Sequence, residues 1–129
     1  MHRATWVLQT VLAVWFVTIG VLHLALPPGL PEPMTWMHDL PTAIHWISGL
    51  AEIAGGLGLG LGLLLPSLTR IRPLLTPLAA SGLAVLMLSA AVWHLGRGEA
   101  RSAVTNLVLV VLLAVVATVR SRMHPIPAR

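Results

Sequence analysis

Four long apolar runs constrain this 129-residue chain more than any other feature. Each is about as long as a helix must be to cross a hydrocarbon core of ~30 Å at about 1.5 Å per residue. Inside lipid a single span has to satisfy its own backbone polar groups, so each run must be helical. The runs are Trp6–Leu26, Ala43–Leu65, Leu74–Leu95 and Ala103–Val119. We therefore expect an all-α, integral membrane four-helix bundle that forms a single transmembrane domain over residues 1–129.

The charge content agrees with a surface that faces lipid. Only 9% of the residues are charged and 57% are hydrophobic, whereas soluble domains usually carry about 25% charged residues. The eight cationic residues lie in short segments between the apolar runs, which indicates membrane topology and argues against nucleic-acid binding. The absence of cysteine excludes thiol nucleophiles and cysteine-ligated metal or iron–sulfur centres within the chain.

The arginine distribution predicts the orientation of the bundle. Six arginines lie in the N-terminal segment, the second connection and the C-terminal tail, and two lie on the other side. Positive charge is enriched on the cytoplasmic side of membrane proteins. We therefore expect cytoplasmic N and C termini in a multi-pass protein of the cell membrane, such as the bacterial inner membrane. A cleaved signal peptide is a weaker interpretation of the first run, which is long for a signal and contains His23.

Glu52 is the most informative residue, because it lies about ten residues into the second run and so near the bilayer centre. An ionised carboxylate at that depth costs at least a few kcal/mol, so Glu52 must be protonated, paired or in contact with water. Small residues recur around it at helical spacing, which lets a neighbouring helix approach closely. A neutral carboxyl bonded between helices is the simpler interpretation. We favour a catalytic, proton-relaying role, because intramembrane acids mark functional sites.

Three histidines are expected to converge on the outer side of the membrane. His23 ends the first helix, His45 begins the second and His94 ends the third, and alternating helix direction brings these ends together. With Glu52 below them they outline an outward-facing polar pocket. For each histidine alone, an interfacial side chain bonded to water is the simpler interpretation. Other polar residues placed to bond a ligand are Ser48 and Asn106, with Thr18 and Ser89 as further candidates.

A histidine–glutamate array beneath an apolar bundle suits a quinone, whose carbonyl oxygens need donors and whose reduction needs protons. Haem is a weaker expectation. No metal site is expected, because no pair of these histidines has tight metal-ligand spacing.

Two outer connections flank the expected pocket. The segment Pro27–Pro41, with Trp36 between prolines, is typical of an irregular lid or anchor lying at the interface. In the other connection, Glu99 is expected to stabilise the N-terminus of the fourth helix electrostatically. Arg97 and Arg101 are the alternatives, as groups that attract an anionic headgroup or gate the pocket.

Several motifs follow one another over nearly the whole chain. They are Gly20-Val-Leu-His23-Leu24, Ser48-Gly49-Leu-Ala-Glu52-Ile-Ala-Gly55-Gly56-Leu57, Pro66, Ala91-Val-Trp-His94-Leu95, Arg97-Gly98-Glu99 and Asn106. On these motifs the sequence resembles the DoxX-like family of small four-helix membrane proteins. The resemblance implies a link to membrane redox processes, since the family takes its name from a subunit of an archaeal quinone-linked oxidoreductase. By matching positions it implies Glu52, His23 and His94 as site residues.

We therefore predict a DoxX-like membrane protein that binds a small lipophilic, quinone-like redox molecule. Glu52 would relay a proton, and His23, His45 and His94 would bond the ligand. The alternative is a non-catalytic scaffold subunit that docks a soluble or membrane oxidoreductase partner, since no complete catalytic set is present. A homo-oligomer is compatible with either. A transporter is disfavoured, because only one deep ionisable residue exists.

Overall fold

The computed structural model describes residues 2–64 and 71–123. Within those residues the fold is helical, and four of the helices are long and apolar enough to cross a membrane. The elements are α1 (His2–Ala25), a 3-10 helix (Glu32–Asp39), α2 (Thr42–Leu64), α3 (Arg72–Gly96) and α4 (Ala100–Met123). The predicted all-α membrane bundle is confirmed.

Two details differ from the expectation. α3 and α4 extend beyond their predicted runs at both ends, most clearly α4, which begins at Ala100 and ends at Met123, whereas α1 begins earlier than predicted and ends one residue before Leu26. Hydropathy marks the part of a helix that lies in lipid, whereas backbone hydrogen bonding continues into the polar interface. The predicted end of the second run at Leu65, and Pro66 after it, lie outside the described residues. The connection between α1 and α2 is also more regular than expected, because Pro33 in the first turn supports a 3-10 helix.

The four helices form two hairpins. α1 packs most extensively against α2, and α3 against α4. Between the hairpins, α2 and α3 approach closely at glycines: a Cβ added to Gly58 would clash with Ala79, and one added to Gly55 would clash with Leu83. Lipid is as apolar as leucine, so this association depends on van der Waals packing between small surfaces. The buried cluster is Leu12, Ala13, Phe16, Leu59, Ala80, Leu83, Met87, Leu113 and Val116.

A polar cluster joins the hairpins where α1 begins and α4 ends. Gln9 is fully buried there. Its Nε2 donates to the backbone carbonyl oxygen of Leu59 at 2.7 Å, and its Oε1 accepts from Arg120 Nε at 2.7 Å. The Arg120 guanidinium also lies 5.9 Å from the centroid of the Trp6 ring. One amide thus connects α1, α2 and α4 at this end of the bundle, which we call the Arg120 end.

Candidate functional site

The opposite end of the bundle, where α1 and α3 end and α2 and α4 begin, holds a cavity of about 660 Å³. We call this the histidine end. All four α-helices and the 3-10 helix contribute to the cavity wall. Of the six site residues that the sequence predicts, five line it: His23, Ser48, Glu52, His94 and Asn106. Ser89 lines it as well, whereas Thr18 does not belong to the wall.

The first histidine–carboxylate pair joins α1 to α2. His23 Nδ1 lies 2.6 Å from Glu52 Oε2, and both side chains are almost fully buried. A Cβ added to Gly20 would clash with the backbone oxygen of Gly49, so these two glycines bring the helices together beside the pair. Glu52 therefore faces protein and is paired, as its depth in the apolar run requires.

The second pair lies within the other hairpin. His94 is 1% exposed, and its Nδ1 lies 2.6 Å from Glu99 Oε2. Gly98 has a φ of +73°, a left-handed conformation that glycine adopts readily. That residue turns the chain so that the Glu99 amide donates to the His94 carbonyl oxygen at 2.9 Å. The connection after α3 thus folds a carboxylate back onto the last histidine of the helix.

Arg97 holds Glu99 and reaches the 3-10 helix. Its Nε donates to Glu99 Oε1 at 2.9 Å, and its Nη2 donates to Asp39 Oδ2. Hydrogen bonds from His94, and then from Arg97, hold the pKa of the Glu99 carboxyl below its ordinary value. The hydrogen bond to Glu99, and beyond it the one to Asp39, raises the pKa of the Arg97 guanidinium despite partial desolvation. The carboxylate that faces His94 is therefore ionised at neutral pH.

The 3-10 helix covers the cavity, and we call it the Trp36 lid (Glu32–Asp39). The Trp36 ring contacts both histidines edge-on, with centroids 5.6 Å from His23 and 4.7 Å from His94. Met37 beside it is fully buried. The segment expected to lie at the interface is thus packed onto the site and linked to the second pair through Asp39 and Arg97.

Comparison with known proteins gives the same family as the motifs. The model of the DoxX-like family matches residues 7–116, which is most of the chain. This chain belongs to the DoxX-like family. No curated protein and no solved structure matches it significantly. With its four apolar helices, the chain is an integral membrane DoxX-like protein.

In this DoxX-like protein His45 takes a different place from the one expected. It is 7% exposed and packs behind His23, with ring centroids 5.8 Å apart, and it does not line the cavity. Within the described residues neither of its ring nitrogens has a hydrogen-bond partner, and the same holds for His23 Nε2. His23 thus lines the cavity and has an unpartnered Nε2 among the described residues, whereas His45 contacts the His23 ring and does not reach the cavity wall.

Three parts of the DoxX-like site have no clear signal in the sequence. The pairing of Glu99 with His94 spans five residues across a glycine turn, which no helical periodicity marks. The lid contacts of Trp36 depend on the fold of a proline-rich connection. Trp93 contacts both Trp36 and His94, and only its position beside His94 hints at that role.

Proposed function

We propose that this DoxX-like protein binds a quinone-like molecule in the cavity between its hairpins and exchanges protons with it. The observation that carries the proposal is the presence of two buried imidazoles at one cavity, each bonded through Nδ1 to a carboxylate at 2.6 Å. The remaining wall is mainly apolar, with Phe16, Ile19 and Leu109 among its members. An apolar pocket with a few convergent polar groups is what a lipophilic ring with two carbonyl oxygens requires.

The His23–Glu52 pair supports both binding and proton exchange. A contact of 2.6 Å requires one proton between Nδ1 and Oε2, whichever atom carries it. When the pair holds a second proton, His23 Nε2 is a donor and suits a quinone carbonyl oxygen. When the pair holds only one, Nε2 is an acceptor and suits a quinol hydroxyl. Because Nε2 has no hydrogen-bond partner among the described residues, it is the His23 atom available to bond the ligand.

The two histidine–carboxylate pairs match the two protons that quinone reduction consumes. Full reduction of a quinone consumes two electrons and two protons, one proton for each carbonyl oxygen. The His23–Glu52 and His94–Glu99 pairs can each supply one, and each pair regains it when a quinol is oxidised. The two electrons are exchanged with an oxidoreductase partner that carries a flavin or a dithiol. With the termini cytoplasmic, as the arginine distribution predicts, these protons exchange on the outer side.

The Trp36 lid has a specific part in this proposal. Its ring packs edge-on against both imidazoles. Exclusion of water strengthens hydrogen bonds at the site and restricts proton movement to the two pairs. In this proposal the lid supports proton exchange by excluding water, and it neither donates nor accepts a proton.

The test is ligand retention followed by binding. The protein is purified in mild detergent, extracted for retained quinone, and titrated with a quinone by quenching of tryptophan fluorescence. Glu52→Gln replaces a hydrogen bond to a charged group by one between neutral groups, so affinity should fall about tenfold. Glu32→Gln is the matched control, because Glu32 is exposed on the lid and does not line the cavity. No retained quinone and equal affinity in both variants would end the proposal.

A further inference from the structure

An apolar groove of about 390 Å³ lies along the seam between α2 and α3. Small side chains dominate its floor and several of its residues are exposed, so it opens toward lipid. A Cβ added to Gly82 would meet no atom within 4 Å, which shows open space at that position. At Gly58 and Ala79, which also line the groove, the two helices are in direct contact, since a Cβ added to Gly58 would clash with Ala79. The lining includes Ala51, Ala54, Gly55, Gly82, Leu83 and Leu86.

The groove adjoins the histidine cavity at one residue. Leu86 lines both of them. About one turn nearer the histidine end, the cavity wall is formed by Ser48 on α2 and by Ser89 and Ala90 on α3. These small side chains form the part of the cavity wall nearest the groove. Trp15 of α1 supplies a large side chain to the same cavity wall.

We infer that this groove holds the apolar tail of the cavity's ligand. The inference rests on the proposed function and narrows the ligand to a membrane quinone with a long hydrocarbon or polyprenyl side chain. The head lies against His23 and His94, and the tail leaves past Leu86 and runs along the seam between Ala54 and Gly82. A short, water-soluble quinone would leave the groove to ordinary lipid chains.

Binding of the tail in the groove would help mainly by orienting the quinone head, and only slightly by hydrophobic stabilisation. A tail in the bilayer is already in an apolar medium, so moving it into the groove adds only packing contacts. A tail confined to one seam, however, fixes the direction from which the head enters the cavity. The carbonyl oxygens are then presented to the bare Nε2 of His23 before any contact forms.

The test compares two probes in lipid nanodiscs: a naphthoquinone with a polyprenyl tail and the same ring with a methyl group in its place. Gly82→Leu fills the groove at a position with free space, and Ser81→Leu places the same side chain on the adjacent exposed position outside it. We expect Gly82→Leu to weaken binding of the tailed probe about fivefold or more and to leave the tailless probe unchanged. Ser81→Leu should change neither.

The outcomes separate this inference from the proposed function. If the tailless probe binds and Gly82→Leu does not change the affinity of the tailed probe, the groove does not hold the tail. If Gly82→Leu changes only the oligomeric state, the groove is an interface between copies of this chain, and the inference is overturned. If neither probe binds the wild-type protein, the proposed function itself fails. A photoactivatable group on the tail should label peptides of α2 and α3, and labelling confined to α1 and α4 would also contradict the inference.

Discussion

His23 and His94 stand on different hairpins, yet both imidazoles contact the ring of Trp36, at 5.6 and 4.7 Å between centroids. Each also bonds its own carboxylate through Nδ1. Neither hairpin alone builds this arrangement. The site is formed where the two hairpins and the lid meet at the histidine end.

The two histidines also occupy similar positions in the sequence. Val21-Leu-His23-Leu24 and Val92-Trp-His94-Leu95 each lie near the end of a helix that runs toward the histidine end. The carboxylates come from different places: Glu52 lies in the following helix, and Glu99 lies in the following turn. The resemblance between the two segments therefore extends to the role of the histidine and not to the source of its partner.

Removal of the lid tryptophan should weaken ligand binding. Trp36→Ala deletes an aromatic ring that contacts both imidazoles, and aromatic pairs contribute about 0.5–1.5 kcal/mol each beyond burial. We expect quinone affinity, measured by equilibrium dialysis, to fall about tenfold, with Trp36→Phe retaining most of it. Trp46→Ala is the control, because that ring is exposed and does not line the cavity. Equal affinities in Trp36→Ala and Trp46→Ala would show that the lid has no part in binding.

Loss of Arg97 should change the titration of Glu99. Hydrogen bonds from His94 and Arg97 lower the pKa of Glu99, so the stabilisation from its ionised form is present above the ordinary carboxyl pKa and is lost as pH falls through the lowered one. Arg97→Gln removes one of those bonds, so the pKa of Glu99 should rise toward its ordinary value. On acidification the Glu99 carboxylate should then be protonated, and lose its ionised hydrogen bond to His94, at a higher pH than in wild type.

Carbon-13 NMR of glutamate carboxyls measures this directly, since the chain has three glutamates. Arg122→Gln, an exposed position near the end of α4, serves as the control. A Glu99 titration that is identical in wild type and Arg97→Gln would rule out the Arg97 hydrogen bond as a cause of the lowered Glu99 pKa.

The Arg120 end should contribute stability without contributing to binding. Gln9→Leu removes the acceptor of Arg120 Nε and a donor to α2, and a buried polar group left unsatisfied costs about 1–3 kcal/mol. We expect the thermal midpoint in detergent to fall by several degrees while quinone affinity stays unchanged. Thr10→Val is the matched control, because Thr10 is exposed and its hydroxyl donates to the carbonyl oxygen of Trp6 within its own helix. A variant that loses affinity while keeping its midpoint would contradict this separation.

Much of the architecture is predictable because lipid imposes strict rules. Apolar run length and the need to satisfy backbone groups predict four helices, and alternating direction predicts that His23, His45 and His94 meet at one end. The pairing of Glu52 follows from the cost of an unpaired acid in hydrocarbon. These inferences use only distance along the chain and the properties of the medium.

The finer features of the site depend on side-chain direction and loop geometry. Whether His45 faces the cavity or packs behind His23 is decided by the rotation of α2 about its axis. The weak amphipathicity of a helix that contacts lipid on one side and protein on the other leaves that rotation undetermined. The Glu99–His94 pair depends on the left-handed turn at Gly98, and the lid depends on a 3-10 helix between prolines.

The central claim is that His23 and Glu52 exchange a proton with the bound ligand. A pair with two protons donates to a quinone carbonyl oxygen, and a pair with one proton accepts from a quinol hydroxyl. Raising the pH should therefore weaken quinone binding relative to quinol binding, by up to about tenfold per pH unit for each linked proton.

The decisive measurement is the ratio of the quinone and quinol dissociation constants between pH 6 and 8, in wild type, Glu52→Gln and Glu32→Gln. We expect the ratio to rise with pH in wild type and Glu32→Gln, and to rise less steeply in Glu52→Gln. A ratio independent of pH, or the same slope in all three proteins, would contradict the account.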